Sequence, residues 1–206
     1  MPTSTEPLLQ ALTLLWERLR GDVPELPVIR PVVSHTPRSS DHRPSWTRTD
    51  DGAVAGLVIN ADTLQAGAEA LLTSVLHDAV HVLNWQRDVK DVASRGIYHN
   101  ASFLTAAEEV GLEWPEGAGR SGGTGYADVA LTDAARERHA SDLATLPEVI
   151  EQALPHIALP AKTRRATDRL TLSCQCTPPR KFRMSRTVAA QGPVICGVCS
   201  KEFTAD

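Results

Sequence analysis

Residues 74–100 read SVLHDAVHVLNWQRDVKDVASRGIYHN, and three of the chain's seven histidines fall within this stretch. His77 and His81 are four residues apart, so on a helix both imidazoles project from one face and can grip a single metal ion. Zinc accepts neutral imidazole nitrogens and, in a catalytic site, keeps one position open for water. The residue after the first histidine lies about 100° around the helix, and in zinc peptidases it supplies a carboxylate, normally Glu, that takes a proton from that water. Here that residue is Asp78. A third ligand must come from elsewhere in the chain, and His99, at the mouth of the next helical segment, is the natural candidate. The ordinary alternative is a pair of core histidines, each hydrogen-bonded. The adjacent carboxylate, the flanking apolar residues and the third histidine favour metal.

A second group of ligand-type residues lies near the end of the chain. Cys174 and Cys176 are one residue apart and Cys196 and Cys199 two apart, with nineteen residues between the pairs and no cysteine in the 173 residues before them. Two such knuckles at the tips of hairpins build the closed thiolate site of a zinc ribbon, which is structural zinc. The Cys-x-Cys half is tighter than the usual spacing, and free thiols or a redox disulfide are the alternatives. Between the knuckles stand Arg180, Lys181, Arg183 and Arg186, with Phe182 among them, a set suited to phosphate contacts plus one stacking aromatic. Arg164, Arg165 and Arg169 extend the basic run.

The elements that must position these groups are readable from hydrophobic period. Leu8, Leu9, Leu12, Leu15 and Trp16 repeat as one face of a helix ending before Gly21. The segment VPELPVIRPVVSH is β-branched but broken by prolines, as an edge strand is. A short strand is expected around Trp46, a turn at Asp51–Gly52, and a further strand over AVAGLVIN ending near Asn60, with Asn60 or Asp62 as a cap. A largely apolar central helix should then run from about Leu64 to Trp85. A polar loop follows, then a helix from Asn100 to Gly111, a glycine-rich connection over 115–125, and one or two helices broken at Pro147 and Pro155.

Other side chains near these motifs have weaker credentials. Tyr98 or Tyr126 offers a phenol for an oxyanion, although a half-buried aromatic is the plainer reading. Asp88 or Asp91 offers an acceptor for the N–H of a ligand histidine, although a solvated face is the plainer reading. His139 and His156 read as surface residues, and His35 and His42 have no evident partner.

Composition bounds the class. The chain has 206 residues, 42% hydrophobic and 22% charged, as in an ordinary globular protein. No run approaches the roughly 18 apolar residues of a membrane span, so no membrane partner is expected. The opening MPTSTEPLLQALTLLWERLR lacks a basic start followed by an apolar run, so no secretory signal is expected and the cytoplasm is the default location. Through residue 160 there are 12 basic and 22 acidic side chains, whereas residues 161–206 hold 9 basic and 3 acidic. An acidic body with a basic tail implies two jobs, the tail being drawn to a polyanion or, more simply, kept soluble by its charge. The expectation is an α+β body over residues 1–160 and a basic linker with a zinc ribbon over 161–206.

The stretch LLTSVLHDAVHVLNWQRDVKDVASRGIYHNASFLTAAEEVGL resembles the SprT-like metallopeptidases, which include the Spartan proteases that degrade proteins crosslinked to DNA. The family pattern is a strand, a helix bearing His-Glu-x-x-His, a loop, and a histidine followed by an aromatic, here His99 and Phe103. The resemblance extends to SWTRTDDGAVAGLVINADTLQAGAEALL before the helix and to a terminal zinc ribbon. It implies a zincin-like fold, a catalytic zinc on His77, His81 and His99, Asp78 in the general-base position, a protein or peptide substrate, and DNA as a partner of the basic module. It also places the protein in DNA–protein crosslink repair, in the cytoplasm or on the nucleoid. The departure falls on the catalytic residue: Asp is one methylene shorter than Glu, so its carboxylate retreats by about 1.5 Å. A metalloendopeptidase is therefore expected, with a weak or inactive DNA-binding adaptor as the alternative. A zinc-ribbon transcription or assembly factor is a third reading, but it leaves the three histidines unexplained.

Overall fold

The computed structural model describes residues 5–34, 46–119, 122–157 and 169–205, and the chain divides into two compact units, Met1–Pro160 and Ala161–Asp206. His35, His42, Arg164 and Arg165, and most of the linker, lie outside the described residues. The architecture is α+β.

In the first unit, α1 (Glu6–Asp22) buries Leu8, Leu12, Leu15, Trp16 and Leu19 along one stripe. The strands β1 (Arg30–Ser34), β2 (Trp46–Arg48) and β3 (Val54–Asn60) form a sheet of order β1-β3-β2, with β1 parallel and β2 antiparallel to the central β3. The proline-interrupted segment is thus an edge strand, where a missing N–H costs no ladder bond. Register puts Val33 opposite Ile59 and both Pro31 and Trp46 opposite Leu57, so these side chains share the face that meets the core.

The expected single helix over 64–85 is two helices, α2 (Ala61–Gln65) and α3 (Ala68–Gln86). The break is Gly67, whose φ of 95° lies in the left-handed region that glycine enters without steric penalty. Helix α3 is buried around most of its circumference and packs on β3, on α4 (Ala101–Val110) and on α6 (Ala140–Ala153). Its last turn is fastened to β2, the other edge of the sheet: the Trp46 and Trp85 rings lie 5.4 Å apart, and the Arg48 guanidinium stacks 4.6 Å from the Trp85 ring.

The polar connection after α3 is more ordered than its composition implies. It carries β4 (Val92–Ala93) and β5 (Tyr98–His99), paired antiparallel with Val92 opposite His99. Asn100 caps α4, its side-chain oxygen accepting from the backbone N–H of Ser102 and Phe103 at 2.8 and 3.2 Å. Beyond α4, β6 (Leu112–Glu113) pairs with β7 (Ala130–Leu131).

Two expectations about the following helices fail. Pro147 does not break the chain but lies inside α6; the break falls at His139, between α5 (Asp133–Arg138) and α6. His139 is also not a surface residue: it is 1% exposed, its Nδ1 lies 3.2 Å from Asp142, and Asp142 in turn binds Arg18 of α1. A histidine reads as polar in sequence, yet an aspartate one turn on lets it be buried. Burial lowers the pKa of His139, and the neutral ring suits its place in the core. His156 is exposed, as expected.

The second unit is a three-stranded antiparallel sheet of order β10-β8-β9, built from β8 (Arg169–Ser173), β9 (Lys181–Ser185) and β10 (Thr204–Ala205), with a short helix α7 (Arg186–Ala189).

Candidate metal centres

The three histidines converge. His77 and His81 come from the third and fourth turns of α3, and His99 ends β5. Their ring centroids form a nearly equilateral triangle with sides of 4.9, 5.0 and 5.0 Å. One ligand atom from each lies within 4.8 Å of the others. Phe103, wholly buried on α4, packs 4.8, 5.1 and 4.5 Å from the rings of His77, His81 and His99 and so forms a common floor.

Hydrogen bonding fixes two of the tautomers. His99 Nδ1 lies 3.1 Å from the carbonyl oxygen of Ile97, and a carbonyl can only accept, so this nitrogen carries the proton. His81 Nδ1 lies 2.7 Å from Asp91 Oδ2 and donates to that carboxylate. With both rings neutral, the form in which imidazole binds a metal, both Nε2 atoms present lone pairs, and they face each other at 3.2 Å. Two lone pairs at that distance repel unless a cation lies between them. An N–N separation of about 3.3 Å is the edge of a tetrahedron with zinc–nitrogen bonds of about 2.0 Å. The residues therefore fit a tetrahedral metal ion.

Electrostatics point the same way. The pKa of His99 is lowered to about 4, first by burial and then by the neighbouring His77 and His81 rings. At neutral pH the ring is uncharged, which is the form that ligates.

His99 is held from both sides of its backbone. β4 pairs with it on one flank, and on the other a glycine-rich strap does so: His99 N–H donates to Thr124 O at 3.0 Å and Tyr126 N–H donates to His99 O at 3.0 Å. Gly125 makes the approach possible, since a Cβ there would stand 2.0 Å from His99 O. In the sequence this strap reads only as a connection, because glycine content marks freedom and not a contact.

Asp78 is 2% exposed, with Oδ1 4.0 Å from His77 Nδ1 and Oδ2 buried without a hydrogen-bond partner. A buried carboxylate oxygen left unpaired on the helix that carries two of the imidazoles is a site for a proton or a water. Of the two loop acids, Asp91 contacts a histidine, whereas Asp88 is exposed in the left-handed turn after α3, at φ 54°. Tyr126 packs edge-on against Trp114 at 5.2 Å, and Tyr98 is half-buried on β5 opposite Ala93.

The four cysteines of the second unit also meet, with all Sγ atoms within 4.8 Å and Cys176 3.8 Å from Cys196. A tetrahedral zinc with bonds of about 2.3 Å requires sulfur–sulfur edges of about 3.8 Å, so the short Cys-x-Cys knuckle does not prevent closure. Backbone N–H groups are turned toward the sulfurs, as from Arg180 to Cys174 at 3.3 Å. The backbone amides of Cys199 and Val198 pull the Cys196 thiol down to about 6, while the Cys174 and Cys199 thiols push Cys176 up to about 12. Thiols this crowded cannot all ionise on their own, and a shared cation removes the conflict.

The basic residues split by face. Leu170 opposes Met184 and Leu172 opposes Phe182, whereas Thr171 opposes Arg183 and Ser173 opposes Lys181. The strand alternation places Arg183 and Lys181, both exposed, with Arg169, Thr171 and Ser173 on one face. Phe182 is on the other, 4.8 Å from Phe203, and does not share the basic surface. Arg186 is exposed on α7, and Arg180 is exposed before β9.

Among the described residues no helix is long and apolar enough to cross a membrane. Compared with known proteins, the chain matches no family model, no curated protein and no solved structure.

Proposed function

We propose that residues 1–160 form a zincin-like, SprT-like zinc metallopeptidase domain and that residues 161–206 form a zinc ribbon that brings it to DNA. The protein then acts on DNA-bound or crosslinked proteins in the cytoplasm or on the nucleoid. The observation that carries this reading is the convergence of His81 and His99 through two Nε2 lone pairs 3.2 Å apart, with both Nδ1 atoms already engaged.

Zinc on His77, His81 and His99 would supply a Lewis acid for a peptide carbonyl and make water acidic enough to lose a proton near neutral pH. The chain's own residues do the rest. Phe103 and the Gly125 strap hold the imidazoles in place, and burial keeps His99 neutral. Asp78 is the general base that takes the proton of the attacking water. Its short side chain makes the enzyme slow, since about 1 Å of misplacement costs roughly 10²-fold in rate. The basic face of Arg169, Lys181 and Arg183 supports DNA binding through phosphates, with Thr171 and Ser173 as neutral neighbours.

One observation favours a second reading, in which the same fold binds a partner without cutting it: Asp78 is recessed to 2% exposure. Zinc content tests the metal sites that both readings need, and cleavage separates the two. The wild-type chain should hold two zinc ions, with one lost in His81→Ala and the other in Cys196→Ala. Asp78→Ala should abolish cleavage of a protein substrate, including self-cleavage, and Asp78→Glu should accelerate it. Cleavage unmoved by either change would sink the mechanism and leave the binding reading.

A further inference from the structure

Asp91 stands at the centre of a buried polar network that the peptidase mechanism does not use. It is 7% exposed, and its Oδ2 accepts from His81 Nδ1 at 2.7 Å and from Asn84 Nδ2 at 3.3 Å. Asn84 is itself 2% exposed and lies on α3 three residues after His81. The backbone is pinned as well: Asn100 N–H donates to Asp91 O at 3.0 Å, and Asn100 Nδ2 donates to Lys90 O at 2.8 Å. Asn100 is also the cap of α4, the helix that carries Phe103, and it directly follows His99.

We infer that Asp91, held by Asn84 and Asn100, is a positioning residue that fixes His81 as the Nδ1–H tautomer and thereby aims its Nε2 at the metal. This rests on the metal reading of the histidine triangle. A lone imidazole can carry its proton on either nitrogen, and the bond made by one nitrogen decides which form the other presents. Here a carboxylate can only accept, so His81 must donate from Nδ1. Asn84 donates to the same oxygen, which leaves Asp91 no freedom to turn away from the ring. Because Asn100 joins the Asp91 loop to the start of α4, the acid that orients His81 and the segment that carries His99 move as one piece. The two ligands from different elements are thereby held in one register. A merely structural acid would need neither the tautomer nor the shared anchor.

Two measurements on the full chain test this. In metal-free wild-type protein, two-bond nitrogen–proton correlation should read His81 as the Nδ1–H tautomer; an Nε2–H form would overturn the inference whatever any variant does. Zinc affinity at the histidine site, by chelator competition with His81→Ala as the empty reference, should fall about 10–100-fold in Asp91→Ala. It should recover most of the way in Asp91→Asn, which keeps an acceptor oxygen, and the ribbon zinc should stay in all three. Asp91→Ala within twofold of wild type would overturn the inference while leaving the metal reading intact. Wild-type protein that holds no more zinc than His81→Ala would instead overturn both.

Discussion

The sharpest prediction concerns Gly125, which touches no metal and has no side chain. Its φ is 65°, and a Cβ would stand 2.0 Å from His99 O, 3.0 Å from His99 C and 3.2 Å from His99 N. All three are backbone atoms, so no side chain can swing aside. In Gly125→Ala the strap must leave His99 or push it. Leaving breaks the two strap hydrogen bonds, each worth about 1 kcal/mol, and the left-handed backbone adds about 1–2 kcal/mol for alanine. The loss is therefore about 3–4 kcal/mol, or roughly 6–16 °C in Tm for a unit of this size. Pushing moves a ligand by about 1 Å, enough to spoil a tetrahedral site. Differential scanning calorimetry of metal-free protein, with chelator competition for zinc, reads both routes. A variant with Tm within 1 °C of wild type and unchanged zinc affinity would refute the reasoning, because it would mean that the strap does not hold His99.

The remaining predictions concern pH and DNA. An unfolded histidine takes up a proton near 6.5, whereas folded His99 does so only near 4. Between those values the unfolded chain binds more protons, so metal-free stability should be fully present above pH 6.5 and fall by on the order of 3 kcal/mol toward pH 4. Urea titrations in that window check it, and His99→Gln should flatten the dependence. Replacing Lys181 and Arg183 together with alanine should weaken DNA binding uniformly across sequences and make the slope of log K against log salt shallower by about 2 for duplex DNA. Since Phe182 lies on the opposite face, Phe182→Leu should change DNA affinity little; a large loss specific to single strands would show that the aromatic takes part after all.

What the sequence determined by itself was the identity and local spacing of the ligand-type residues. His77 and His81 share a helical face because four residues make about one turn, and the cysteine knuckles are close because one or two residues separate them. The edge strand, the central strand and the helix from Asn100 to Gly111 were legible for the same reason: period, proline and glycine act over a few residues. Tertiary structure decided everything that needs two distant segments to meet. It brought His99 to 3.2 Å from His81, set Phe103 beneath all three rings and ran Gly125 along the backbone of His99. It chose Asp91 over Asp88 as the partner of His81, because a loop acid's direction depends on how the loop is pinned, here by Asn100. It buried His139, which reads as polar, because Asp142 meets its ring while Arg18 of α1 meets Asp142. And it put Phe182 and Arg183, adjacent in sequence, on opposite faces of one sheet, since successive strand residues point opposite ways once the strand has formed.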